Sequence, residues 1–329
     1  MKLSAKLFLL NNGSYSSFRS FSDLELLRNV TSKLVLISKS RNIFKNLALE
    51  DWIYTKSVID TNSSVLLLWV DDPCVVIGRH QNPWTEVYVD ECIKNGITVS
   101  RRNSGGGTVY HDHGNLNLSF ITNRKDYNRK LNLSLVSSLI RSVFQVNCKI
   151  SDREDLVTSD GLKVSGTASK LSSKNAYHHC TLLVDSDLNL MRRLIRKEHP
   201  SNIVSNATTS VRSSVTNLKQ LNQEITIDSV VENLANCSSD QIFHFDPNEK
   251  QVGFNDTSEK TFSSWDWIFG RTPKFCIKKD LENGQLTVNV TRGCVHSATI
   301  TTNGIIREIR IENIKYSEGW FEHFSKNYE

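Results

Sequence analysis

Apolar residues in this chain come in short bursts separated by polar turns, and the period within a burst changes along the sequence. "LVLIS" (34–38) reads as a strand, and Asn46 stands just ahead of "LALEDWIYTKSVI" (47–59), whose spacing predicts a helix capped at that asparagine. "SVLLLWV" (64–70) and "PCVVIGR" (73–79) are two strand-like runs joined at Asp71, Asp72 and Pro73. Antiparallel pairing of these neighbours puts Gly78 and Arg79 at a sheet rim. "TEVYVDECIKNG" (85–96) predicts a helix stopped by Gly96, "ITVSRR" (97–102) a strand, and "NLNLSFI" (115–121) a strand with Leu116, Leu118 and Phe120 on one face.

Helical spacing returns in "NLSLVSSLIRSVFQV" (132–146), with Leu135, Leu139, Val143 and Val146 near one stripe. "GLKVSGTASKL" (161–171) and "AYHHCTLLV" (176–184) predict two strands, and "DLNLMRRLIRKEH" (187–199) a helix that Pro200 stops. Residues 201–221 are too polar for a core and read as a long loop, before a helix at "TIDSVVENLANC" (226–237). Past the "GRTP" turn at 270–273, alternating residues with glycine turns at 284, 293 and 304 predict a β-rich unit. The organisation expected is a catalytic domain over 30–270 and a small C-terminal domain over 271–329.

Composition narrows this picture. A 329-residue chain that is 38% hydrophobic has enough apolar mass for one large core plus a smaller one. No run approaches the roughly 18 to 20 apolar residues that span a bilayer, so no membrane partner is expected. The seven cysteines include no CxxC pair and do not suggest a disulfide framework. A net charge of +5 with no basic stripe interleaved with aromatics argues against nucleic acid. The first 22 residues carry Lys2, Lys6 and Arg19 with no acid, the composition of a mitochondrial transit peptide, here assigned to 1–25; a polar cytosolic tail is the alternative.

The chemistry concentrates in "RRNSGGGTVYHDHGNLNLSF" (101–120). Three glycines let a loop expose consecutive N–H groups, and Arg101 and Arg102 can pair with phosphate or carboxylate, so an anion-binding loop is expected over a plain hairpin turn. His111 and His113 share one strand face, while adjacent His178 and His179 point to opposite faces; zinc spacing is absent, and one pocket-facing histidine is the better reading. Lys163 alternates with Leu162 and Val164, so its ammonium faces either a pocket or solvent. The acids of "DRED" (152–155) could hold Mg²⁺ beside a phosphate or simply form a turn.

"NLALEDWI", "VVIGRHQNPWTE", "RRNSGGGTVYHDHGNLNLSF", "LKVSGTAS", "YHHCTLLV", "TTSVRSSVTNL" and "WDWIFGRTPKF" occur in this order between residues 46 and 275, and together they resemble the lipoate-protein ligase family. The resemblance implies an α/β fold: a mixed-sheet catalytic domain like those of biotin protein ligases and class II aminoacyl-tRNA synthetases, with a small C-terminal α/β domain. It further implies that Arg102, Ser104, Gly105, Gly106 and Gly107 wrap the lipoyl chain. Val109, Tyr110 and His111 then lie by the adenylate, and Asn115, His178 and His179 border the same pocket. By the same resemblance Lys163 is the catalytic residue at the acyl carbonyl and α-phosphate, Asp155 can bind Mg²⁺, and a loop with Ser205, Thr209 and Arg212 closes over the adenylate.

One departure stands out: "SDREDL" replaces the family's G-R-N-D-L, so that Asp152 and Glu154 stand where glycine and asparagine are usual. A carboxylate there would repel ATP unless Mg²⁺ intervened. The expected activity is transfer of a lipoyl group from lipoyl-AMP, or from a lipoylated glycine-cleavage H protein, to a lysine in lipoyl domains of 2-oxoacid dehydrogenase E2 subunits. The enzyme is expected as a monomer in the mitochondrial matrix, with ATP use left open. Alternatives are a full ATP-dependent ligase, an octanoyltransferase using Cys180, or a non-catalytic module that holds the adenylate or the H protein.

Overall fold

A computed structural model describes residues 16–17, 26–239, 241–246 and 256–328. The segment assigned to a transit peptide falls almost wholly outside the described residues. The centre is a seven-stranded mixed sheet ordered Ser16–Ser17, Ile242–Phe245, Lys33–Ser38, Ser64–Trp69, Asn115–Asn123, Asn175–Leu183, Thr167–Leu171. Strands are parallel up to Ser64–Trp69 and antiparallel beyond it. One face packs on the helix Arg129–Phe144 through Leu118, Cys180 and Leu182, and the other on Ile43–Lys56 through Leu67, Ile121 and Tyr177.

The two neighbouring runs expected to pair do not. Ser64–Trp69 stays in the central sheet, while Cys74–Ile77 pairs with Thr98–Arg101 and Val109–His111 in a separate three-stranded sheet. The intervening turn carries Asp71, which is wholly buried and accepts bonds from Trp69 Nε1 at 2.9 Å and Asn46 Nδ2 at 2.8 Å. Asn46 is therefore not a cap: the helix begins at Ile43, and Asn42 accepts from the N–H groups of Phe44 and Lys45. An asparagine further along has become a buried strut, which helical spacing alone does not reveal.

Three helices also depart from expectation, the run at 85–96 being split into Pro83–Glu86 and Val89–Lys94. In Arg129–Phe144 the buried face is Leu133, Val136, Leu139, Ile140 and Phe144, leaving Val143 at 41% exposure, so the stripe is rotated from the one expected. The run at 187–199 is helical only over Leu188–Leu194. The last sheet orders Ile203–Ser205, Phe275–Leu281, Gly284–Thr291, Cys294–Thr302 and Ile305–Lys315, all antiparallel. Its inner face shares one apolar cluster with Val75, Ile77 and Trp84, whose ring meets Phe269, Phe275 and Tyr316. Among the described residues no helix is long and apolar enough to cross a membrane.

Candidate active site

A cavity of about 970 Å³ is lined from the central sheet by His179, Thr181 and Leu183, alternate residues of one strand, and by Asn117 and Trp69, which stand in register beside Thr181. Its other sides come from Val76 and Val109 of the three-stranded sheet, the turn Gly106–Gly107, Lys163 and residues 210–215. Among the described residues Asp155 is the sole carboxylate lining it.

The glycine turn is held by arginines that look inward. Arg102 donates from Nε to Ser104 Oγ at 2.9 Å, from Nη1 to Val76 O at 3.1 Å, and from Nη2 to Gly105 O and Gly107 O at 2.6 and 2.7 Å. Arg101, fully buried, donates to the carbonyls of Ile268, Arg79 and Gln81 and to Thr272 Oγ1. The expectation that these two cations await an anion is corrected: their donors are engaged by loop carbonyls, whose burial would otherwise leave them unpaired. Burial pushes Arg101 down to about 9 and Arg102 down to about 10. Gly106 sits at φ +84°, and a Cβ on Gly78 would come within 2.2 Å of Gly106 O, so both positions need glycine.

Behind the turn runs a chain of buried polar groups. Glu50 Oε1 lies 2.9 Å from His179 Nδ1, and His179 Nε2 lies 2.8 Å from Ser104 Oγ. Serine, histidine and acid stand in the order of a nucleophilic triad. Ser104 is only 1% exposed and does not line the cavity, so the chain fixes the loop and aims the His179 ring at the cavity wall.

Across the cavity, Lys163 opens the short strand Lys163–Ser165 and its Nζ lies 3.0 Å from Asp155 Oδ2. A Cβ at Gly166 would come within 3.4 Å of that nitrogen, so the glycine keeps space for the ammonium. The segment that follows residue 205 forms a roof. Ser210 N donates to Glu86 Oε1 at 3.1 Å, Ser210 Oγ donates to Glu86 Oε2 and accepts from Thr108 N at 2.9 Å, and Arg212 lies 3.3 Å from Glu86. Further on, Lys163 N donates to Ser214 O and Thr216 N to Lys163 O. The roof thus joins the glycine turn to the lysine strand.

His111 Nδ1 lies 2.9 Å from Asp71 Oδ2, an acceptor shared with Trp69 and Asn117. Asp71, Cys74 and His111 are close enough to share a cation, but four donors already satisfy the carboxylate and burial raises the Cys74 thiol well above its usual range. A hydrogen-bonded cluster accounts for this geometry. His178 faces away from the cavity against Phe120, and burial, with Arg129 nearby, pushes it down to about 3. Burial also pushes Cys180 up to about 12, which disfavours a thiolate nucleophile.

Of the residues singled out in the sequence, Arg102, Gly106, Gly107, Val109, Tyr110, His111, Asp155, Lys163, His179 and Arg212 line the cavity. Ser104 and Gly105 lie behind it, Asn115 is buried against Asn117, Ser205 pairs with Phe275, and Thr209 is exposed on the roof. Glu154 does not line the cavity: its carboxylate pairs with Arg129 at 2.9 Å and its backbone sits at φ +58°. Asparagine tolerates that left-handed conformation better than glutamate. Glu50, Asp71 and Glu86 were not among the residues singled out in the sequence; for Glu50 the available signal was an acid placed on an otherwise apolar helix face, as in "LALEDWI".

The Lipoyl protein ligase A/B catalytic domain family matches residues 42–238, and the chain belongs to this family. It is a lipoyltransferase-class enzyme with the mixed-sheet fold of lipoate-protein ligases. It is similar to the human protein named lipoyl amidotransferase LIPT1, mitochondrial, at 38% identity over 259 residues, covering 76% of this chain and 69% of that protein. It is 31% identical over 254 residues to the lipoate-protein ligase A of Psychrobacter cryohalolentis, covering 73% of each. Among solved structures, P. falciparum LipL1 in complex with lipoate superposes with a TM-score of 0.62 at 25% identity, covering 90% of this chain and 94% of that one.

Proposed function

We propose that the protein transfers a lipoyl group onto the ε-amine of a lysine in lipoyl domains of 2-oxoacid dehydrogenase E2 subunits, in the mitochondrial matrix, with lipoyl-AMP or a lipoylated H protein as donor. The observation that carries this reading is the convergence of the glycine turn and Lys163 on one cavity. The turn offers an apolar, Cβ-free wall for the acyl chain. The Lys163 ammonium, steadied by Asp155, is placed to stabilise negative charge that develops on the acyl oxygen. The roof excludes water that would otherwise compete with the incoming amine.

Within the cavity Lys163 is paired with Asp155 and Arg212 with Glu86, so these cations are already matched by carboxylates. Asp155, a single carboxylate shared with an ammonium, fits Mg²⁺ only if phosphate oxygens of a ligand complete its coordination. Incubating the protein with an apo lipoyl domain and, in turn, lipoyl-AMP, lipoylated H protein, or lipoate with ATP, then weighing the acceptor, tests the reading. An acceptor that gains no lipoyl mass from any of the three refutes it.

A further inference from the structure

The charges inside the cavity and those around its mouth are organised differently. Of its lining cations, Lys163, Arg196 and the exposed Arg212 are matched by Asp155, Glu318 and Glu86. At the mouth, Arg153, Arg192 and Lys197 line the same cavity, are exposed to solvent, and have no carboxylate partner among the described residues. Arg192 bonds only the side chain of Asn189, at 3.0 Å. Their neighbours in sequence, Asp152 and Glu198, do not line the cavity.

These cations occupy two sides of the opening. Arg153 projects from the turn before Asp155, while Arg192 and Lys197 come from the Leu188–Leu194 helix and the segment after it. Met191, Ile195 and Val211 line the same cavity, the last 63% exposed. An apolar centre with a charged fringe is the pattern of a protein-docking surface. Solvated cations suit long-range attraction of a large anionic face, whereas tight binding of a phosphate calls for convergent donors.

We infer that this rim is the docking surface for an acceptor protein whose lysine is flanked by carboxylates, and that Arg153, Arg192 and Lys197 steer that acidic face onto the opening so that the lysine enters between them. The inference rests on the transfer reading above and supplies its partner chemistry. Opposite charges on the two faces raise the encounter rate, screen with salt and set the approach, and they take no part in the bond change.

The test compares the wild type with the combined variant Arg153→Glu, Arg192→Glu, Lys197→Glu, using lipoyl-AMP as donor. Two acceptors are used: an apo lipoyl domain with acidic residues beside its lysine, and hydroxylamine, which has no surface to dock. The variant is expected to raise the KM for the domain roughly tenfold or more with kcat nearly kept, and to reverse the sign of the salt dependence of kcat/KM that the wild type shows, because the two faces now repel. Its reaction with hydroxylamine and its affinity for lipoyl-AMP are expected to match the wild type. Converting the acidic residues of the domain to amides should raise the wild-type KM and lower the variant's, because it removes an attraction in one and a repulsion in the other. Weakened lipoyl-AMP binding with equal loss toward both acceptors would overturn the inference and make the rim a nucleotide site. An unchanged KM with unchanged salt dependence would overturn it outright. A wild type inactive with every acceptor would refute the transfer reading itself, a result separate from any difference between the two proteins.

Discussion

The two sides of the cavity are built on opposite principles. On the glycine-turn side, Arg101 and Arg102 are buried and their donors go to backbone carbonyls, with Glu50, His179 and Ser104 chained behind them. On the lysine side, partly exposed side chains meet in ion pairs, Lys163 with Asp155 and Arg212 with Glu86, and a roof segment spans the gap. A wall of backbone clamps resists deformation, because each freed carbonyl costs desolvation. Ion pairs at an opening can exchange partners when a charged ligand arrives. On the proposed reading, the rigid side shapes the acyl chain and the exchangeable side handles the reacting charge.

Breaking the clamps should have the largest effect. Arg101→Met leaves several buried carbonyls without donors and is expected to cost about 3 kcal/mol or more of folding stability, measured as a shift in the denaturant midpoint. A variant as stable as the wild type would mean that this wall does not depend on the buried guanidinium. Lys163→Ala should leave stability nearly unchanged but slow transfer, removing roughly 3 kcal/mol of transition-state stabilisation, or about two orders of magnitude in kcat. Loss confined to the KM of the donor would reassign the lysine to ground-state binding.

A smaller effect should appear with pH. His178 is held near 3 in the fold, mainly by burial, against 6.5 for the free side chain. The unfolded chain then binds the extra proton first, so stability is full above pH 6.5 and is lost as the pH falls below it. The loss at pH 5 is on the order of 2 kcal/mol. His178→Gln should flatten this part of the stability curve, and an equally steep loss in the variant would assign the acid sensitivity to other groups. The smallest change is expected from Ser210→Ala, which removes the hydroxyl between Glu86 and Thr108 and should loosen the roof by about 1 kcal/mol. Faster amide exchange at 205–215 would report it.

The contrast also explains what the sequence could reveal. Alternation marked Asn115–Asn123 and Asn175–Leu183 because each strand separates two chemically different faces. The glycine turn and the strand position of Lys163 were legible for the same local reasons. Three-dimensional substitution was not legible: a turn that sends consecutive strands into different sheets, an asparagine used as a strut in place of a cap, and arginines that serve carbonyls instead of ligands. In each case the deciding partner lies far along the chain, as Ile268 and Thr272 do for Arg101. Glu154 was read as a threat to phosphate because spacing alone does not show that Arg129 draws it away.

The most direct test of the account is the structure of the protein with lipoyl-AMP bound. The account expects the acyl chain along the Gly106–Gly107 turn and Lys163 Nζ moved from Asp155 to within about 3 Å of the acyl carbonyl or phosphate oxygen. A ligand seated in the cavity while that nitrogen stays on Asp155, out of reach of both oxygens, would contradict it.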